Sequence, residues 1–125
     1  MKKRFLFLVF ILLAFVLVAC GAEQGAGKFS LKVYDFEGAE VYSKEYKFKE
    51  DDSLEAILKA DKDLKMKGDT SEFGFFITEL FGIASSDDDH TFWNLKIDGE
   101  DSMVGVRGVV LEDGMAIGFY LISWD

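Results

Sequence analysis

The stretch FSLKVYDFEGAEVYSKEYKF, residues 29–48, decides the fold that the sequence predicts. Residues 29–36 alternate between apolar and polar positions, and so do residues 41–48, which is the two-residue period of half-buried strands. The apolar positions of the first segment are Phe29, Leu31 and Val33. In the second segment one face carries Tyr42, Tyr46 and Phe48, and the other carries Ser43, Glu45 and Lys47. Since only the turn-like residues 37–40 separate the two segments, the stretch predicts a β-hairpin.

A short helix is predicted directly after the hairpin, over residues 53–61. Acidic side chains and Ser53 precede it, and both favour a helix N-terminus. Its apolar face is marked by the spacing of Leu54, Ile57 and Leu58.

The remainder of the chain predicts mostly strands. Residues 62–71 are polar and contain glycine, which favours a short strand or a turn. The apolar run at residues 73–81, bounded or bent by Gly74 and Gly82, predicts a buried strand. Two further strands are predicted at residues 91–98, which end in the turn dipeptide Asp98-Gly99, and at residues 115–124.

A hairpin, one helix and further strands predict an α+β domain with one helix over one mixed sheet. The β-grasp, or ubiquitin-like, fold is the small fold with this order of elements. A plain antiparallel α+β sandwich is the alternative.

The first twenty residues have the pattern of an export signal. Three basic residues are followed by fifteen uncharged apolar residues, from Phe5 to Ala19, and this run is shorter than the ~20 residues that a spanning helix needs. The run ends in Leu17-Val18-Ala19-Cys20, which resembles the bacterial lipobox. The resemblance implies that residues 1–19 are removed and that Cys20 receives a diacylglyceryl group.

We therefore expect three parts: a lipoprotein signal peptide at residues 1–19, a lipidated cysteine with a flexible tether at residues 20–28, and one folded domain at residues 29–125. The alternatives are an ordinary secretory signal and an uncleaved membrane anchor. Because Cys20 is the only cysteine, no disulfide framework is possible. Two acyl chains hold a protein stably on a membrane, so the expected location is the extracytoplasmic face of the cell membrane.

The charge of the chain excludes some partners. The expected signal contains three of the fourteen basic residues and none of the acidic ones, so the remaining 106 residues carry 11 basic and 23 acidic side chains, a net charge near −12. We therefore expect no binding to nucleic acid and no electrostatic adhesion to anionic lipid.

No motif of the sequence indicates catalysis. The run Asp87-Asp88-Asp89-His90 lacks the alternating spacing and the distal Glu of a calcium loop, so we interpret it as a solvated acidic loop without metal. The sequence contains no Gly-x-Ser-x-Gly turn and no phosphate-binding loop. We therefore expect a protein that is not an enzyme and has no cofactor.

Two features leave a binding role open. Arg107, the only arginine after the signal, either pairs with one of the many acids or meets an anionic ligand. The second feature is a surplus of aromatic residues, since one helix covers only one face of a sheet and some rings can line a partly open apolar site. The rings in question are Phe75, Phe76, Phe81, Trp93 and Trp124.

Several segments, taken in order, resemble the transcobalamin-like C-terminal domain, which is found at the end of animal cobalamin carriers and in many bacterial surface lipoproteins. The segments are residues 29–34, 53–58 and 74–78, Gly82-Ile83, residues 91–93, Asp98-Gly99, residues 104–106 and Asp113-Gly114. The resemblance covers residues 29–125 and implies a β-grasp fold. Two positions depart from it, because Phe75 replaces a frequent Pro and Met115 replaces a frequent Asp.

In the carriers this domain helps to enclose cobalamin against a larger helical domain. The resemblance therefore implies a ligand-binding role for the corresponding residues, which are Phe75, Phe76, Ile77, Thr78, Phe92 and Trp93. The helical partner domain is missing from this sequence, so a cobalamin site would be half a site.

The sequence thus predicts a membrane-anchored binding module, with cobalamin or a related small molecule as the ligand that the resemblance implies. The alternative is a cell-surface module that interacts with a protein or a polysaccharide, or docks a transporter, without a small ligand.

Overall fold

The structure of the protein is a computed structural model that describes residues 25–124. The expected signal peptide, Cys20 and most of the expected tether lie outside the described residues. Within residues 25–124 the chain forms eight strands, one α-helix and one 3-10 turn. These are β1 (Gly27–Tyr34), β2 (Glu40–Phe48), α1 (Leu54–Ala60), β3 (Lys67–Ser71), β4 (Gly74–Leu80), β5 (Ile83–Ala84), β6 (Thr91–Ile97), β7 (Glu100–Asp101), the 3-10 turn Val106–Gly108, and β8 (Met115–Ser123).

The main sheet has five strands in the order β2-β1-β8-β6-β7. The first and last strands of the chain, β1 and β8, pair in parallel at the centre, and the other neighbours pair antiparallel. The predicted α+β class is confirmed. The parallel pair excludes the purely antiparallel alternative.

The predicted hairpin is present with shifted ends. Strand β1 runs over Gly27–Tyr34, and the prediction that it extends to residue 36 is wrong. The Asp35 carboxylate accepts a hydrogen bond from the backbone N–H of Ala39 at 2.9 Å, which starts the turn one residue after Tyr34. An aspartate that bonds to nearby backbone is a turn former, and this ends the strand early.

The predicted helix is confirmed, one residue shorter at each end. The Ser53 hydroxyl accepts a hydrogen bond from the backbone N–H of Ala56 at 3.1 Å and so caps the first turn. Leu54 and Leu58 are fully buried, which places the apolar face of α1 against the main sheet core.

The core lies between the inner face of the main sheet, the helix and part of a second sheet. Its fully buried side chains include Phe29, Leu31, Val33, Leu54, Leu58, Leu64, Leu80, Leu111 and Phe119. The alternate residues of the central strands face the other way, where the rings of Tyr34 and Tyr120 stack 4.4 Å apart. The alternation seen in the sequence therefore separates the two faces as expected.

The predicted buried strand at residues 73–81 requires a correction. Strand β4 lies in a separate three-stranded sheet, in the order β3-β4-β5, rather than in the main sheet. Ile77 and Leu80 are buried, but Phe73, Phe76 and Phe81 are exposed. Because only one face of this small sheet packs on the core, the other face of β4 meets solvent.

The Asp98-Gly99 turn is present and produces a strand that the sequence did not predict. Both residues have positive φ, 52° and 85°, which is the geometry of the tight turns that close two-residue hairpins. The turn returns the chain as β7, which pairs with the end of β6.

Candidate functional site

A groove of about 440 Å³ lies between the start of β4 and the loop that follows β7. Its lining consists of Glu72, Phe73, Gly74, Phe75, Met103, Val104, Gly105, Arg107 and Gly108. Two rim residues are almost completely exposed, since 93% of Phe73 and 97% of Met103 are accessible to solvent. Large apolar side chains that line a hollow and remain uncovered mark a binding surface.

Local hydrogen bonds hold both rims of the groove. On one rim the backbone N–H of Phe73 donates to the Ser71 hydroxyl at 3.2 Å, and Gly74 adopts a φ of 121° that a side chain would strain. On the other rim the Ser102 hydroxyl donates to the Val104 carbonyl at 2.6 Å and accepts from the Val104 N–H at 3.2 Å. The backbone N–H groups of Phe73 and Val104 are therefore each bonded to a serine hydroxyl.

Phe75 lines the groove, and its half-buried ring packs against the core. This ring lies over Gly68 of the neighbouring strand, where an added Cβ would come within 2.7 Å of the ring and 2.2 Å of the Phe76 carbonyl oxygen. The ammonium of Lys59 lies 4.3 Å from the ring centroid on the helix side. A glycine and a cation–π contact thus fix the ring in place.

A charged triad lies beside Phe75. The guanidinium of Arg107 donates to both carboxylate oxygens of Glu55, at 2.9 and 3.0 Å, and Lys59 donates to the same carboxylate at 2.8 Å. Hydrogen bonds from Arg107, and then from Lys59, lower the pKa of Glu55 to about 2. Of the two roles that the sequence left open for Arg107, the structure shows the ion pair. With two cations on one carboxylate, the triad keeps a positive charge beside an apolar groove.

The structure does not bring the six predicted ligand residues together. In β4, Phe75 lines the groove, Phe76 faces solvent and Ile77 is buried in the core. Thr78 is half-buried, and its carbonyl oxygen accepts the backbone N–H of Ser85 at 2.9 Å. Because neighbouring strand residues point to opposite faces, four consecutive residues cannot all face one ligand.

Phe92 and Trp93 are separated for the same reason. The indole of Trp93 is buried in the core, and its Nε1 has no hydrogen-bond partner in the part of the chain that the structure describes. Phe92 lies on the other face of the sheet, with its ring centroid 6.3 Å from that of Trp124. Neither residue lines the groove. Of the six predicted ligand residues, only Phe75 lines it.

The exposed apolar residues of the groove, Phe73, Met103 and Val104, are not among the site residues that the sequence predicts. Phe73 stands inside an apolar run, which predicts a buried strand. Met103 and Val104 lie in a loop with no periodic pattern. A usable signal was present in Phe73-Gly74, because a glycine after a polar segment predicts a turn that exposes its neighbours.

A second polar cluster lies at the C-terminal end of α1. The buried Asp61 carboxylate accepts hydrogen bonds from the hydroxyls of Tyr42 at 2.7 Å and Tyr46 at 2.5 Å, and it pairs with Lys44 at 3.3 Å. Burial by itself raises the pKa of Asp61, but the hydrogen bonds from Tyr46 and Tyr42, the backbone of Asp63 and Lys44 outweigh it and lower the pKa to about 2. Burial and the bond to Asp61 raise the pKa of Tyr42 to about 12. Asp61 and Tyr46 are buried, Tyr42 is half-buried, and Lys44 reaches the carboxylate from the surface, so the cluster links β2 to the C-terminal end of α1 and stabilises the fold.

The acidic run at residues 87–89 lies on the surface as predicted. The His90 ring stacks on Trp124 with centroids 5.3 Å apart. Among residues 25–124, no group of three or more His, Cys, Asp and Glu side chains is placed to hold a metal ion.

The fold is similar to that of haptocorrin in complex with Cbi, on which the chain superposes with a TM-score of 0.63. The sequence identity is 17%, over 86% of this chain and 28% of the haptocorrin chain. Residues 51–123 match the family described as a domain of unknown function, DUF4430. This match exceeds half of the chain, and the protein belongs to that family.

A second solved structure has the same fold. It is a candidate metal-binding protein from Ruminococcus gnavus, with 21% identity and a TM-score of 0.63 over 76% of this chain and 95% of that chain. No curated protein matches the sequence. The predicted resemblance to the transcobalamin-like domain is thus confirmed for the fold.

Proposed function

We propose that the protein is a lipid-anchored, extracytoplasmic binding module that is not an enzyme and whose ligand site is the groove between Phe73 and Met103. One observation carries this proposal: the two most exposed large apolar side chains of the described residues flank the same hollow. Exposed apolar side chains lower solubility and contribute nothing to the core. We therefore infer that a binding partner covers them.

The anchor rests on the sequence of residues 1–20, with its basic start, apolar run and lipobox-like end. In the described residues, no helix combines the length and the apolar character needed to cross a membrane. Within the proposal, residues 1–19 are the signal peptide, residues 20–28 the lipidated tether and residues 29–125 the binding domain.

The proposal extends to the fold, which we assign as a β-grasp. It is supported by the central parallel pair of β1 and β8, by the hairpin that β1 forms with β2, and by the single helix that follows it.

A cobalamin-related compound is the first ligand class to test. Haptocorrin, whose fold this chain shares, is described in complex with Cbi, and the groove volume of about 440 Å³ lies in the range of small-molecule pockets. The chain spans 28% of the haptocorrin chain, and its groove is open on one side, so it would hold such a ligand from one side only. An anionic group of the ligand would meet Arg107 of the triad.

Equilibrium dialysis of residues 21–125 against cobinamide and cobalamin tests the ligand. We expect saturable binding, weakened about tenfold by Phe73→Ser or Met103→Ser, because each change removes roughly 1.4 kcal/mol or more of apolar contact. Phe36→Ser is the matched control, since Phe36 is also exposed but lies in the turn between β1 and β2. Absence of saturable binding up to about 100 μM, or roughly 5.5 kcal/mol of affinity, contradicts the small-ligand proposal.

Fractionation of cells that express Cys20→Ser tests the anchor. We expect the variant to leave the membrane fraction or to remain unprocessed, because the acceptor of the lipid is gone. Retention of fully processed variant at the level of the wild type contradicts the anchor.

A protein partner is the second candidate function, and the projection of Phe73 and Met103 beyond the groove favours it. Side chains of this kind fill pockets of an opposing surface. Crosslinking in intact cells separates the two candidates, because a stoichiometric protein adduct supports a transporter-docking or surface-interaction role.

A further inference from the structure

The main sheet carries a hollow of about 280 Å³ on the face opposite the core. Gly118 of β8 lines this hollow, and its register partners are Lys32 of β1 on one side and Lys96 of β6 on the other. Because register partners of adjacent strands point to the same face of a sheet, the two lysines flank a position without a side chain. The hollow shares no lining residue with the groove.

A pair of tyrosine rings stands beside the glycine. Tyr34 and Tyr120 are register partners in β1 and β8, and their rings stack with centroids 4.4 Å apart and planes 5° apart. The Tyr120 ring leans toward Gly118, because an added Cβ there would lie 2.8 Å from Cε1 of the ring and 3.3 Å from its hydroxyl oxygen. The ammonium of Lys96 lies 5.2 Å from the centroid of the same ring. Two lysines and two tyrosines thus border the hollow around one glycine.

The lining of the hollow is cationic although the chain is acidic. The chain has 23 acidic and 14 basic residues, but the described residues that line the hollow include two lysines and no acid. The acidic partners of these lysines lie on the flanking strands, where Glu40 of β2 is 3.3 Å from Lys32 and Asp101 of β7 is 4.0 Å from Lys96. Each of the four side chains is at least 36% exposed, so both pairs are weak and leave the ammonium groups able to bind another anion.

The donors of the hollow keep their protons at neutral pH. A lysine ammonium group can only donate hydrogen bonds, and a hydrogen bond to Glu40, followed by the charge of Glu40, raises the pKa of Lys32. Burial, followed by the neighbouring Tyr120, raises the pKa of Tyr34. The hollow therefore offers charged ammonium groups and protonated hydroxyls to a ligand that accepts hydrogen bonds.

We propose that this hollow binds the phosphate group of a small phosphate monoester, held between Lys32 and Lys96 and bonded by the tyrosine hydroxyls. Lysine binds phosphate as a point charge, whereas a planar carboxylate favours the bidentate fork of arginine, which the lining does not contain. The site goes beyond the proposed function, because it requires neither a lipid on Cys20 nor a ligand in the groove.

The charge of the ligand distinguishes two sources of phosphate. A monoester carries about 1.5 to 2 negative charges at pH 7, and the diester of a polymer carries one per phosphate. Two ammonium groups on either side of one position match the higher charge. The volume of about 280 Å³ also suits a ligand smaller than those that fill most binding pockets.

Isothermal titration calorimetry of the full-length protein in a neutral detergent tests the site. The probes are inorganic phosphate, glycerol 3-phosphate, dimethyl phosphate and acetate, each at low ionic strength. We expect saturable binding of the first two and weaker binding of dimethyl phosphate and acetate. Lys32→Gln and Lys96→Gln should each weaken the binding of glycerol 3-phosphate about tenfold, because each removes a charge-assisted hydrogen bond.

Two further variants separate a built site from diffuse attraction. Tyr120→Phe keeps the ring and the net charge but removes a hydroxyl, and it should weaken binding about threefold. Lys47→Gln is the matched control, because Lys47 lies on the same face of the sheet in β2 but does not line the hollow, and it should leave binding unchanged. Circular dichroism of each variant verifies that it is folded.

Four results would overturn the inference. The first is the absence of saturable phosphate binding up to about 10 mM. The second is an equal loss of affinity in Lys47→Gln and in the two lysine variants of the hollow, and the third is unchanged affinity in Tyr120→Phe. The fourth is binding of acetate or dimethyl phosphate as tight as that of glycerol 3-phosphate. None of these results bears on the groove, so the proposed function is tested separately.

Discussion

The Asp61 cluster and the groove differ in how their side chains are covered. Beside the C-terminal end of α1, Asp61 and Tyr46 are buried, and the hydroxyls of Tyr42 and Tyr46 donate to the Asp61 carboxylate. At the groove, the apolar side chains of Phe73 and Met103 remain in water, 93% and 97% exposed. The first arrangement is complete within the domain, and the second is incomplete without a partner.

The difference implies that the Asp61 cluster contributes to stability and that the exposed groove residues contribute to binding. A buried carboxylate with all its partners contributes to the folded state, and removing any member leaves the others unpaired. Exposed apolar side chains contribute little to folding, so their replacement should affect binding and leave stability unchanged.

Asp61→Ala should cause the largest loss of stability, about 3 kcal/mol of unfolding free energy, because it leaves two tyrosine hydroxyls and Lys44 without their acceptor. Urea denaturation measures the loss. Asp63→Ala is the control, since the Asp63 side chain is exposed and only its backbone bonds to Asp61. Equal stabilities of the two variants would show that the cluster is not a stabilising unit.

Gly68→Ala should cost roughly 2 kcal/mol, because the new methyl group overlaps the Phe76 carbonyl and the Phe75 ring. Phe75 also lines the groove, so its displacement should lower ligand affinity as well. Gly105→Ala is the control, because its added Cβ would meet no atom closer than 4.0 Å. A fully stable Gly68→Ala would contradict the close packing of this ring.

Stability should fall in acid through Asp61 and Glu55. Both have a folded-state pKa of about 2, below their ordinary values of 3.8 and 4.5, so their contributions are complete above about pH 5 and are lost as the pH falls toward 2. Urea midpoints across this range should fall less steeply in Asp61→Ala and in Glu55→Gln than in the wild type. Parallel curves for all three proteins would mean that neither carboxylate is stabilised by its partners.

Phe73→Ser and Met103→Ser should change stability least, by at most about 0.5 kcal/mol, because both side chains are exposed. The same variants should weaken the binding of the partner. Thermal denaturation and ligand dialysis on one preparation separate the two effects. A clear loss of stability would mean that these side chains support the fold rather than a partner.

Much of the fold could be predicted from the sequence, because local signals agree with tertiary packing there. The alternation from Phe29 to Phe48 predicts two strands, and the capping residue Ser53 predicts the start of the helix. The small sheet could not be predicted, because a run such as Phe75-Phe76-Ile77 has the same composition whether one or both faces are buried.

The site was less predictable than the fold. The resemblance pointed to the segment that contains Phe75, and the structure places that ring in the groove. The opposite rim, with Met103 and Val104, depends on where a loop returns after the short strand β7, and no local pattern encodes that position. Trp93 is a predicted ligand residue that lies in the core instead. Its position follows from the face of the strand on which it lies and not from its residue type.

The central claim is that Phe73 and Met103 are covered by a partner in the cell and that Phe36, in the turn between β1 and β2, is not. Photo-crosslinking in intact cells, with benzoylphenylalanine at position 73 or at position 36, tests it most directly. The account predicts adducts with lipid, ligand or protein from position 73 and only background from position 36. Equal yields at the two positions would contradict it.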